Sequence, residues 1–148
     1  MNSYHISLHP KPTTEMSIEW HSLDWQGQTL TTAQVAPQLI AQIHFPVAFD
    51  DLVSRLNGLP GGYAEGDGAF GIVGPEGIWK LTGTFYESHP PGGIGHLEML
   101  GTGSAEPLQT LIECLGVEPE DCLVQWMQGG FFTTVEQWRL ATQSDRQP

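Results

Sequence analysis

The chain has 148 residues and carries 5 Lys and Arg against 17 Asp and Glu, a formal net charge of −12. A surface this acidic repels phosphate backbones, because nucleic-acid affinity rests largely on cations that displace condensed counterions, so direct DNA or RNA binding is not expected. The length suits one domain with a real core, and 39% hydrophobic residues, with five Trp and six Phe spread along the chain, argue against a large disordered region.

No basic region followed by an apolar run opens the sequence, so no export signal is expected. The most apolar stretch, Val35 to Phe49, is interrupted by Pro37, Gln38, Gln42, His44 and Pro46 and is too short to span a bilayer. The expectation is a cytoplasmic protein without membrane contact, its two cysteines, Cys114 and Cys122, reduced and packed as small core residues. No repeat or linker divides the chain, which reads as a single α+β domain over residues 1–143 followed by a short polar tail, 144–148.

Tyr4, Ile6 and Leu8 alternate with polar residues and predict a first strand, followed by a loop at 9–14. Met16 to Trp25 again reads as a strand, closed by a turn at Gln26-Gly27-Gln28. Val35, Leu39, Ile40 and Ile43 recur at helical spacing, with Thr31 or Thr32 available as a cap and Pro37 in the first turn. A second helix is predicted over Asp51 to Asn57, with Asp50 at its start and Gly58 as its stop.

Around the turn Gly74-Pro75-Glu76-Gly77, pairing Val73 with Ile78 sets Ile72 opposite Trp79 and Phe70 opposite Leu81 on one face. A third strand, His96 to Gly101, follows the turn at Pro90 to Gly95, and burial of Leu81, Phe85, Leu97 and Met99 together calls for pairing Phe85 with Met99. Leu108, Leu111, Ile112 and Leu115 form an amphipathic helix capped by Ser104 and stopped by Gly116. A strand over Cys122 to Met127 and a last helix, opened by a capping box of Thr133 and Glu136, complete the chain. The pattern predicts an α+β fold: a mostly antiparallel sheet with a central β-meander over about 68–101 and two to four helices packed on one face.

Candidate chemistry is sparse. Gly66-Asp67-Gly68-Ala69-Phe70-Gly71 spells GxGxxG, but no strand precedes it, no helix follows it, and Glu65 and Asp67 repel phosphate. Gly101-Thr102-Gly103-Ser104 joins a strand to a helix, where a capped tight turn accounts for it. His21 and Asp24 flank Ser22 on one strand, which does not assemble a triad. No catalytic residues are assigned.

The Gly-rich acidic loop 61–68, with Glu65 and Asp67, resembles calcium loops in composition only, and Glu87 with His89 on the core side of the sheet's open end could add two ligands. The alternative set Glu87, His89, His96 and Glu98 conflicts with the register that buries Phe85 and Met99. Tyr63, Tyr86, Trp20, Trp25, Trp126 and Trp138 could line a pocket, although aromatic residues at such spacing more often form core. In the segment from Trp126 to Phe132, a turn holds Phe131 and Phe132 side by side, and two adjacent Phe cannot both point inward from a regular strand.

Trp126, Phe131 and Phe132 are therefore the expected interface. The leading expectation is a non-enzymatic, regulatory binding domain whose acidic and aromatic surface docks onto a partner protein with a basic patch. The alternative is a small-ligand or calcium-binding protein that uses the 61–68 loop. No other cofactor is expected.

Overall fold

The computed structural model of the chain describes residues 3–12, 18–78, 80–88 and 91–144. Nine strands pair in one antiparallel sheet: β1 (Ser3–Pro10), β2 (Glu19–Trp25), β3 (Gln28–Gln34), β4 (Gly62–Ala64), β5 (Ala69–Val73), β6 (Lys80–Glu87), β7 (Ile94–Thr102), β8 (Cys122–Trp126) and β9 (Phe132–Thr134). Their spatial order is β2-β3-β9-β8-β1-β7-β6-β5-β4. The N-terminal strand is thus the middle one, hydrogen-bonded to β7 on one side and β8 on the other. The four helices are short: α1 (Pro37–Ile40), α2 (Phe49–Asn57), α3 (Glu106–Leu115) and α4 (Val135–Ser144).

This arrangement corrects the expected fold class. The sheet dominates, the meander β4 to β7 forms one end of it instead of its centre, and the helices do not share a face. On one face Ile6, Leu8, Leu97, Met99, Phe85, Phe70 and Val124 pack against Leu52 and Leu56 of α2, Leu108, Leu111, Ile112 and Leu115 of α3, and Trp138 of α4. On the other face Ala33, Leu123 and Phe132 pack with Ile18 and Val35 and are covered by Leu39 and Ile40 of α1. Leu123 and Val124 are neighbours in β8, so period-two geometry sends them to opposite faces, and both are fully buried because each face is covered there.

Three local differences come from turn chemistry. The predicted helix over Val35–Ile43 shrinks to the four residues of α1, because β3 continues to Gln34 and pairs along its whole length with β2. Gln26 and Gly27, at φ 50° and 82°, make the two-residue hairpin turn that fixes that pairing. The β5–β6 connection takes six residues, including a 3-10 turn at Pro75–Gly77, so Ile72 opposes Leu81 and Phe70 opposes Gly83, two residues away from the predicted register. Phe85 likewise opposes Leu97, not Met99, with a bulge at Tyr86/Glu87. Slips of two residues preserve the faces, so Phe70, Ile72, Leu81, Phe85, Leu97 and Met99 are all core as expected. Trp79 lies outside the described residues.

At α4 the cap is Thr134, whose Oγ1 accepts from the Gln137 N–H at 3.0 Å. Thr133 is a fully buried strand residue whose hydroxyl oxygen accepts from Trp126 Nε1–H at 2.9 Å. Gly116 stops α3 in the left-handed region as read, whereas the N-cap is Ala105 and Ser104, one residue earlier, accepts from the Glu106 N–H through its Oγ. No helix among the described residues is long and apolar enough to cross a membrane.

Candidate functional site

Among the described residues the helices leave one large area of the sheet bare, the outer face of β4 to β7 and of the first residues of β1. Register aligns its side chains in rows that cross the strands. One row runs Tyr63–Gly71–Thr82–Leu100–His5, and the next runs Ala69–Thr84–Glu98–Ser7. Tyr63, Val73, Tyr86 and Leu100 are exposed there, Leu100 by 57%. Between these ridges lie two shallow hollows of about 760 and 430 Å³, which meet at His5, Thr82 and Leu100. Gly71 is buried beneath the Tyr63 ring, which occupies the space a Cβ would need.

Charge is scarce on this face. Of the strand residues that point outward on β1 and β4 to β7, Lys80 and Glu98 are the charged ones, apart from the histidines. Glu98 Oε1 lies 2.8 Å from His5 Nε2. The acidic residues Glu65, Asp67 and Glu76 stand on the turns at the two ends of β5 and are exposed.

Toward the α1-covered region the same face carries an aromatic ladder. Tyr86 stacks on His96 with ring centroids 4.6 Å apart, His96 stacks on His9 at 5.4 Å, and His9 meets the edge of Phe132 at 5.4 Å. His9 Nε2 shares a 2.8 Å hydrogen bond with Ser7 Oγ, while its Nδ1 is buried with no hydrogen-bond partner. Burial, and next the neighbouring His96, lower the His9 pKa from 6.5 to about 4, against a small opposing effect of Gln125. Burial also lowers the His96 pKa, opposed by Glu98.

Ser7 and His9 form a pair of the kind that activates a nucleophile, but the setting does not serve that chemistry. Ser7 is only 3% exposed, and an imidazole with so low a pKa is a poor base near neutral pH. The pair reads as a core contact in which His9 Nε2 is bonded and Nδ1 is left without a partner. Alternation of His5, Ser7 and His9 along β1 was the sequence signal for it, since every second residue of a strand shares a face.

The expected site residues are dispersed. Phe131 and Phe132 do not form a surface ridge: they are 2% and 4% exposed. Phe131 packs with Leu30, Trp25, Trp126 and Ala141 beneath α4, and Phe132 packs on the opposite face with Ala33 and Leu123. Adjacent Phe residues both find cover because the sheet is two-sided here. Trp126 is half-buried against Phe131, with ring centroids 5.2 Å apart.

Glu65 and Asp67 are exposed on the β4–β5 turn, where Asp67 Oδ1 accepts from the Ala69 N–H at 3.0 Å. Glu87 lines a separate hollow with Asp50 and Gly66, and His89 lies outside the described residues. Among the described residues no three His, Cys, Asp or Glu side chains are grouped to hold a metal ion. His21 and Asp24, on either side of Ser22, have other partners, His21 lying 3.8 Å from Glu19 and Asp24 accepting from Thr29.

Both cysteines are free and buried. Burial, with Asp121 and Glu120 adding to it, pushes the Cys122 thiol up to about 12, and burial raises Cys114 as well against the pull of Arg55. No protein-family model, curated protein or solved structure matches the chain.

Proposed function

We propose that the protein is a non-enzymatic binding domain that docks a partner protein on the bare outer face of β1 and β4 to β7. One observation carries this reading. In a chain of net charge −12, the uncovered side of the sheet holds Tyr63, Val73, Tyr86 and Leu100 together, with Lys80 and Glu98 as its charged strand residues besides histidine. Contiguous apolar surface left in water is disfavoured, and such patches mark interaction sites more often than they mark nothing. An aromatic and aliphatic centre with few charges, bordered by charged turns, is the composition of a protein interface.

The border sets the partner's chemistry. Glu65, Asp67 and Glu76 favour a partner whose apolar contact is ringed by Lys or Arg, so the encounter is salt-sensitive. This reading moves the docking surface from Phe131 and Phe132, which are buried, to strands on the other side of β1.

The test is capture from the native cell extract with the wild-type protein and Leu100→Asp side by side, at low and high salt. Position 100 is mostly exposed, so the substitution leaves the fold intact while placing a carboxylate at the meeting point of the two hollows. A single protein retained by the wild type at low salt, weakened at high salt and lost with Leu100→Asp, supports the face. Equal retention by both variants sinks it.

A further inference from the structure

A further concave feature lies at the end of the sheet where β1 begins, sharing Ser3, Tyr4, His5 and Gln128 with the larger of the two hollows. Where β1 begins and β8 ends, a cavity of about 170 Å³ is lined by Tyr4, Trp25, Trp126 and Trp138, with Gln26 and Gln128 among its polar lining. Three of the five tryptophans of the chain thus surround one small space. They reach it from separate elements, Trp25 from the β2–β3 hairpin, Trp126 from β8 and Trp138 from α4.

The rings are held by hydrogen bonds and by contacts with one another and with Phe131. Trp126 Nε1–H donates to Thr133 Oγ1 at 2.9 Å, and the Tyr4 hydroxyl donates to the Ser104 carbonyl at 3.3 Å. Tyr4 also meets Trp138 edge-on at 5.1 Å, and Trp25 meets Phe131 edge-on at 5.1 Å. The polar tips of Tyr4 and Trp126 are engaged in these bonds, which leaves ring surface to line the cavity.

We infer that this cavity binds a methylated ammonium group. The lining contains no Asp, Glu, Lys or Arg; its histidine, His5, lies 2.8 Å from Glu98, and its other polar groups are the neutral Ser3, Gln26, Gln128 and Thr142, so attraction for a cation falls to the aromatic quadrupoles, while the net charge of −12 raises the local concentration of cations and disfavours anions. A volume well below the roughly 300–1,000 Å³ of drug-sized pockets admits a head group rather than a whole cofactor. Methylation suits the site, because no carboxylate lines it to offset the desolvation of a bare ammonium, and a trimethylated one is more weakly hydrated.

Two sources present this chemistry, a free choline-type molecule and a trimethylated lysine side chain. The experiment titrates the full-length protein with choline, with Nε-trimethyllysine and with the neutral isostere 3,3-dimethyl-1-butanol, following tryptophan emission and the indole N–H resonances at constant ionic strength. Saturable changes with either cation, at least tenfold weaker with the neutral isostere and abolished in Trp25→Leu, are the expected result, and the better cation identifies the source. Equal response to the neutral isostere, or only the linear drift given by sodium chloride, overturns the assignment. Trp25 is half-buried near a hairpin turn, and should Trp25→Leu fail to fold, Trp126→Phe is the second variant, expected to weaken the cations selectively.

Discussion

Replacing His9 together with its partner, as His9→Phe with Ser7→Ala, removes the titrating imidazole while keeping a ring between His96 and Phe132. Removing both partners also avoids stranding the buried Ser7 hydroxyl, which would itself cost about 1–3 kcal/mol. In the folded protein His9 holds its proton only below about pH 4, whereas in the unfolded chain it does so below 6.5. As pH falls under 6.5 the unfolded state therefore binds a proton that the folded state refuses. The stability contributed by neutral His9 is complete above about 6.5, declines between 6.5 and about 4, and changes no further below that. At about 1.4 kcal/mol per pH unit, the whole loss is about 3 kcal/mol. His96, whose pKa is also lowered, pulls in the same direction.

The assay is urea unfolding of wild type and double variant at pH 7.5, 6.5, 5.5 and 4.5, with the histidine Cε1–H resonances followed in parallel. Carboxylate effects are common to both proteins, so the difference between them isolates residue 9. The stability of the wild type relative to the variant should fall by about 2–3 kcal/mol between pH 7.5 and 4.5. A pH-independent difference, or a His9 midpoint near 6.5, refutes the argument that burial without a carboxylate partner keeps this ring neutral.

Leu8 is fully buried at the middle of the sheet, opposite Leu97 on β7 and Val124 on β8, so Leu8→Ala should cost about 2–5 kcal/mol in urea unfolding at neutral pH. Two glycines separate steric roles: a Cβ on Gly83 would strike the Glu98 carbonyl and Met99 across the β6–β7 pair, so Gly83→Ala should lower stability by about 1–3 kcal/mol. Gly71→Ala instead meets the ring of exposed Tyr63, which can swing away, and its melting temperature should stay close to that of the wild type. Cys114 and Cys122, buried and with raised pKa values, should react with a disulfide reagent at pH 8 only as fast as the protein opens, and both at once in denaturant.

Much of the local structure is legible in the sequence because it is written in short-range chemistry. Tyr4, Ile6 and Leu8 show the period of a strand, Ser104 and Gly116 bracket α3, and the odd-numbered apolar residues of β6 and β7 do turn to the core. The bare face was half legible: Leu100 breaks the alternation set by Leu97 and Met99 and so points away from the core. Nothing local indicates that no helix covers it.

What the tertiary structure alone decided is how far strands pair and what lies over each face. β4 and β9 are three residues each, too short to announce themselves by periodicity, and only the neighbours β5 and β8 make them strands. The positions of hairpin registers depended on turn geometry at Pro75–Gly77 and on the bulge at Tyr86/Glu87. Phe131 and Phe132 looked like a surface because one covered face cannot hide two adjacent side chains; α4 above and α1 below hide both. Alternation by itself sorts the residues of a strand into two faces, since the period of two is set by the backbone. Which surface remains bare is set by long-range packing, because it depends on β1 inserting between β7 and β8, strands that lie far from it in sequence.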